Sequence, residues 1–238
     1  MKNRLILWLV RWLQKFVPLN GKTGNILVIT TTALGDTLWA TPAIESLRAS
    51  FPSSKLVVLT SPIGEQVLRH NPWTTQTHVL KEPMLRHIFS LWKQLRKERF
   101  EMVIVLHASQ RLMLPLCALL GAEKIVATKG LNKGLDALLT DALAQKKQHE
   151  IVRRLELVER VGAKRTSETL SLFLPEEKTL KGDWIFLHPG ARDSFRRWPA
   201  SHFVELGKKL QQLNLSILVT GNQDEQELVK EIISQIPG

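Results

Sequence analysis

The stretch that most limits what this chain can fold into runs Asn25-Ile26-Leu27-Val28-Ile29-Thr30-Thr31-Thr32-Ala33-Leu34-Gly35-Asp36-Thr37-Leu38-Trp39-Ala40-Thr41-Pro42. An unbroken apolar run rich in β-branched residues stops at small polar ones. A helical spacing then begins, with Leu38, Ile44 and Leu47 on its inner face. This is a strand–loop–helix unit, and in parallel α/β sheets ligands bind outside the carboxyl ends of the strands. Asp36 falls at such an end. The spacing also places it as the N-cap of the following helix, a role worth roughly 1 kcal/mol by itself.

The same alternation continues along the chain. Lys55–Thr60 reads as a strand and Pro62–His70 as a short helix, Thr77–Leu80 as a strand and Met84–Arg99 as a basic amphipathic helix. Met102–Leu106 reads as a buried strand, Gln110–Leu120 as a helix, Lys124–Ala127 as a strand and His149–Val161 as a helix through Ile151, Leu155 and Val158. Such βα alternation predicts a mostly parallel, doubly wound sheet with right-handed crossovers. Gly130–Gln145 has no clear period and is expected to be a mobile loop. His107 ends a strand and His149 starts a helix; both are expected to be surface or capping residues, with ligand contact as the other reading. Gly21-Lys22-Thr23 is not a phosphate loop, because the lysine precedes the strand instead of following it.

Residues 163–182 change to Ser, Thr, Glu, Lys and Pro around a strand-like Leu170–Leu174, as an inter-domain connection would. A second unit then follows, with strand Trp184–Leu187, loop His188–Pro199 and helix Ser201–Leu213. Strand Leu215–Thr220, turn Gly221–Asp224 and helix Glu225–Ile236 complete it. Two strands and two helices make at most half a Rossmann-like domain. The boundaries expected are 1–20 for an amphipathic helix, 21–175 for a first domain and 176–238 for a second, incomplete one.

Residues 3–17 are helical in spacing. Arg4, Arg11 and Lys15 lie within about 40° of one another around the axis, with Asn3 and Gln14 beside them. Leu5, Ile6, Trp8, Leu9, Trp12, Leu13, Phe16 and Val17 cover most of the rest. The run is too short and too charged to span a bilayer, and it lacks a signal-peptide core and cleavage site. Either it lies in a membrane interface with its cations on anionic lipid, or it packs on its own domain or a second copy. The formal charge of +11 points to an anionic partner: phospholipid, a phosphorylated substrate or nucleic acid. Nucleic acid comes last, since tyrosine is absent and no basic-aromatic recognition motif is present. The one cysteine, Cys117, sits in an apolar stretch, cannot form an intramolecular disulfide and fits a reducing compartment.

Val28-Ile29-Thr30-Thr31-Thr32-Ala33-Leu34-Gly35-Asp36 with Thr41-Pro42-Ala43, followed later by His188-Pro189-Gly190 and Arg196-Arg197-Trp198-Pro199, resembles the bacterial heptosyltransferases of lipopolysaccharide assembly, glycosyltransferase family 9. The likeness runs from about residue 24 to the end. It implies an α/β, GT-B-like fold of two Rossmann-like domains with parallel sheets, the second incomplete here. It implies inverting, metal-independent transfer of heptose from ADP-heptose to an acidic, lipid-linked core sugar, with no cofactor, at the cytoplasmic face of the inner membrane. Asp36 matches the family's catalytic aspartate, the base that takes the acceptor proton. Thr32 and Gly35 fall in the acceptor-side loop. Arg196 matches a cation facing the donor diphosphate, with Arg197 beside it; apart from the resemblance, the pair reads as a solvated basic loop. Gly190 and Ala191 bring backbone N–H groups toward phosphate, and Glu225 matches a ribose contact. The sequence stops before the family's later Asp-Thr-Gly-x-x-His motif, so the expectation is either a piece of a longer protein or a truncated, inactive product. Two rivals stand beside this reading: a GT-B transferase using another nucleotide sugar, and a non-catalytic remnant that binds membrane or partner.

Overall fold

The computed structural model describes residues 2–175, 182–191 and 193–236. The chain divides into two compact units, Met1–Pro175 and Glu176–Gly238. Of the connection expected over 163–182, residues 176–181 lie outside the described residues.

The first unit is built on six strands: β1 (Ile26–Thr30), β2 (Leu56–Thr60), β3 (Gln76–Val79), β4 (Met102–His107), β5 (Lys124–Thr128) and β6 (Asp141–Leu143). They pair in the order β3-β2-β1-β4-β5-β6, and every pairing is parallel. A strand in such a sheet is covered on both faces, which is why β1, β2 and most of β4 read as unbroken apolar runs. Their residues alternate between two cores. Leu27, Ile29, Val57, Leu59, Val103 and Val105 pack under helices α1 (Lys2–Gln14), α5 (Met84–Lys97) and α6 (Met113–Ala118). Ile26, Val28, Leu56, Val58 and Ile104 pack under α3 (Thr41–Ser50) and α7 (Glu150–Glu159). Two short helices, α2 (Leu34–Leu38) and α4 (Pro62–Leu68), follow β1 and β2.

Three expectations need correction. Asp36 is not an N-cap: Ala33 caps α2, and Asp36 stands three residues inside it, reaching back to the Ala33 N–H. The chain breaks after α2 and restarts at Thr41-Pro42, because proline fits the first turn of a new helix and not the interior of an old one. Gly130–Gln145 is not a mobile loop. It holds a 3-10 turn, Asp136–Leu138, and the edge strand β6, whose residues become strand by pairing with β5. Leu170–Leu174 forms no strand. Its segment is held along α3 instead, where the Ser171 N–H donates to Thr41 Oγ1 at 3.0 Å and the Thr166 N–H to Ser46 Oγ at 3.2 Å.

Helix α1 packs on its own unit through Ile6, Leu7 and Val10. Asn3 and Gln14 anchor the helix, donating to the Lys133 and Ala118 carbonyls at 3.0 and 3.1 Å. Cys117 is fully buried and its thiol is pushed up to about 12, so it stays protonated at neutral pH.

In the second unit β7 (Trp184–Leu187) and β8 (Ser216–Val219) pair in parallel, beside α8 (Ala200–Gln212) and α9 (Gln226–Gln235). Helix α9 starts one residue later than its spacing predicts, after a 3-10 turn over Gln223–Glu225 that Asn222 caps.

Candidate functional site

The strand order of the first unit reverses between β1 and β4, and the crevice outside the carboxyl ends of those strands is where a doubly wound sheet binds ligand. Thr30, Thr31 and Thr32 leave β1 there, and His107 ends β4 beside them. The register between the strands slips after Ile29, so that Thr30 faces His107. The Thr31 N–H donates to the His107 carbonyl at 3.0 Å, which ties the two ends together.

Asp36 sits over this crevice with both carboxylate oxygens engaged. Oδ2 accepts from the Thr32 hydroxyl at 2.7 Å and from the Ala33 N–H at 3.3 Å. Oδ1 accepts from Arg154 Nη2 at 3.1 Å and lies 3.3 Å from His107 Nδ1. Thr32 Oγ1 is also 2.7 Å from His107 Nδ1. Thr32 has a single hydroxyl hydrogen, and the carboxylate can only accept. His107 must therefore carry its proton on Nδ1 and donate it, which leaves Nε2 as an acceptor.

Burial pushes the Asp36 carboxyl up, but the Thr32 hydroxyl, His107, Arg154 and the Ala33 N–H together outweigh it. The group is held below the usual carboxylate range. Burial also pushes His107 below its ordinary 6.5 against the pull of Asp36, so at neutral pH the ring is neutral and its hydrogen bond goes to Thr32. Arg154 is wholly buried, with Asp36 and Glu150 as its counter-charges; Glu150 Oε2 lies 3.5 Å from Nη1. The Trp39 ring covers the guanidinium at 5.5 Å. Among the described residues Arg154 Nε and Nη1 find no hydrogen-bond partner, and Asp36 accepts from Nη2. A Cβ placed at Gly35 would meet nothing within 4 Å, which leaves open ground beside the carboxylate.

The second unit repeats the arrangement at the ends of β7 and β8. His188 Nδ1 and Thr220 Oγ1 lie 3.1 Å apart and hold the two loops together. Glu225 is buried, 5% exposed, and accepts from the Asn222 N–H at 2.9 Å. Gly190 lies directly against it: a Cβ there would collide with the Glu225 carboxyl. Arg196 is exposed, 3.4 Å from Asp193 Oδ2, with its guanidinium over the Phe195 ring. Arg197 donates to the Ala191 carbonyl at 2.9 Å and so braces the loop. Asp36, Thr32 and Gly35 thus gather in one unit, and Gly190, Ala191, Arg196, Arg197 and Glu225 in the other. Among the described residues no cluster of His, Cys, Asp or Glu could hold a metal ion.

A sequence model of glycosyltransferase family 9 (heptosyltransferase) matches residues 88–237. The chain belongs to this family. Lipooligosaccharide heptosyltransferase 2 of Campylobacter jejuni is 23% identical over 220 residues, 87% of this chain and 64% of that protein, so the chain spans less than two thirds of this relative. Among solved structures, E. coli ADP-heptose lps heptosyltransferase II superposes with a TM-score of 0.73 at 21% identity, covering 90% of this chain and 69% of the other. E. coli heptosyltransferase WaaC with ADP superposes with a TM-score of 0.74 at 16% identity, covering 89% and 72%. At these identities the likeness is one of fold: two Rossmann-like α/β units with parallel sheets, as in GT-B-like transferases.

The sequence reads two members of the Asp36 cluster unequally. His107 stands at a strand end, with ligand contact as one of its two readings; the doubly wound sheet is legible, but the strand order that sets β4 beside β1 comes from the fold. Arg154 gave no signal, because a charged residue in an amphipathic helix reads as surface.

Proposed function

We propose that this family 9 chain is the catalytic apparatus of an inverting glycosyltransferase, moving heptose from ADP-heptose to the acidic, lipid-linked inner core of lipopolysaccharide. The observation that carries the proposal is the Asp36 carboxylate, kept ionised at the switch point of the first sheet. In an inverting transfer the acceptor oxygen attacks the anomeric carbon as the bond to the diphosphate oxygen breaks and ADP leaves. The hydroxyl proton must go to a base as it attacks. Asp36 takes that proton, with Thr32 orienting it and Gly35 leaving room for the sugar. In the second unit Arg196 offsets the charge that builds on the departing diphosphate, the task metals perform elsewhere. The Gly190–Ala191 backbone approaches the phosphates and Glu225 the ribose. The acceptor's lipid anchor fits a protein held at the cytoplasmic face of the inner membrane, with residues 3–17 on anionic lipid.

One observation favours a second assignment within the same reaction. Both oxygens of Asp36 already accept hydrogen bonds, and neutral His107 presents Nε2 as an acceptor. In this reading Asp36 orients the ring and His107 takes the proton.

Transfer from ADP-heptose to a deacylated core acceptor separates the two. Asp36→Asn lowers the rate by roughly 10²–10⁴-fold in either case. His107→Gln retains most of the activity if Asp36 is the base, and loses as much as Asp36→Asn, with the acid limb of the pH profile gone, if His107 is. Full activity in Asp36→Asn would remove the proposal. Asparagine is the better probe than alanine, because Arg154 keeps a hydrogen-bond acceptor.

A further inference from the structure

Outside the candidate site, two amphipathic helices turn apolar stripes to solvent. On α1 and the turn after it, the packing of Ile6, Leu7 and Val10 leaves Leu5, Trp8, Leu9, Trp12 and Phe16 between 44% and 69% exposed. Arg4, Arg11 and Lys15, also exposed, run alongside them. Helix α5 repeats the pattern. Met84, Leu91 and Leu95 are buried, Leu85 and Phe89 are each 72% exposed, and Arg86, Lys93 and Lys97 flank them. Between the two helices, floored by α6, runs an apolar groove of about 480 Å³ whose walls include Leu13, Phe16, Phe89, Trp92, Leu116 and Leu119. That volume lies within the roughly 300–1,000 Å³ of small-molecule sites. The Trp92 indole N–H is spent on the Leu119 carbonyl at 2.8 Å, so its ring offers the groove only carbon.

We propose that α1 and α5 together form a contact face for an anionic phospholipid bilayer, and that the groove between them takes an acyl chain. This extends the lipid contact proposed for residues 3–17 and rests on it, but not on any transfer chemistry. Soluble domains rarely leave so large a contiguous apolar patch in water, and such patches mark interaction sites. The occupant must supply both apolar depth and negative charge. An anionic bilayer does both: aromatic rings settle at headgroup depth and cations meet the phosphates. A second copy of this chain would set one basic face against another. Among the described residues no helix is long and apolar enough to cross a membrane, so the contact is interfacial.

The test is flotation of the 238-residue chain with vesicles of phosphatidylglycerol or phosphatidylcholine. The chain is expected to float with the first and not the second. The double change Leu85→Glu with Phe89→Glu, at exposed positions that folding tolerates, is expected to weaken binding roughly tenfold or more while α1 stays intact. Phosphatidylglycerol brominated on its acyl chains is expected to quench tryptophan fluorescence, and Trp92→Phe to lose part of that quenching. Unchanged binding in the double variant, or unchanged quenching in Trp92→Phe, would overturn the α5 groove and leave the α1 contact standing. No flotation of the unaltered chain would remove both. Concentration-dependent dimerisation without flotation would give the face to a second copy. None of these readouts moves if the chain transfers no sugar.

Discussion

At the scale of single residues, Asp36 has two jobs that pull against each other. It balances Arg154, a guanidinium with no access to water, and it faces the crevice where an acceptor would lie. Leaving a buried charge short of a partner is costly, so Asp36→Asn is expected to lose about 1–3 kcal/mol of stability alongside activity. His107 gives a cleaner signal. Its folded pKa lies below 6.5 because burial disfavours the charged ring, so below 6.5 the unfolded chain binds more protons than the folded one. The stability held by neutral His107 is present above 6.5 and is lost as pH falls from there toward the depressed folded value. His107→Gln removes that titration. Between about pH 7.5 and about pH 5 its melting temperature is expected to fall less than that of the parent chain. Parallel slopes would mean His107 is not held neutral.

At the scale of elements, legibility followed hydrophobic pattern. Strands β1, β2 and β4 are apolar runs buried on both faces, and their period is plain in the sequence. Strand β6 is Asp-Ala-Leu, too short and too polar to carry a period; five established strands recruit it, and the bidentate pair of Arg160 with Asp141 at 2.8 and 2.5 Å ties it to the end of α7. Leu170–Leu174 carried a strand pattern but lay where α3 offered hydrogen bonds and no strand did. Asp36 was visible through the motif around it, whereas its partner Arg154 is 118 residues away and belongs to the tertiary fold alone. In the second unit the loop after β7 lies on Glu225 only because residue 190 has no side chain. Gly190→Ala is therefore expected to lower stability by about 1–3 kcal/mol and to disturb donor binding, read by thermal unfolding with and without ADP. An alanine variant with unchanged melting and ADP affinity would mean the contact is not tight.

At the scale of the whole molecule, the two units divide the labour that the proposed reaction requires. In that proposal Asp36, at the end of β1 in the first, takes the acceptor proton, and Arg196, in the loop after β7 in the second, faces the diphosphate. The chain has a formal net charge of +11, and α1 and α5 turn apolar faces to solvent, a combination that suits the anionic, lipid-anchored acceptor of the proposed reaction. The measurement that tests the central claim most directly is calorimetric titration of the 238-residue chain with ADP. Saturable one-to-one binding is predicted, unchanged in Asp36→Asn and weakened roughly tenfold or more in Arg196→Ala, which removes a charge-assisted contact to phosphate. A folded chain that binds no ADP, or that binds it equally well without Arg196, would contradict the assignment of the second unit as a nucleotide-sugar site.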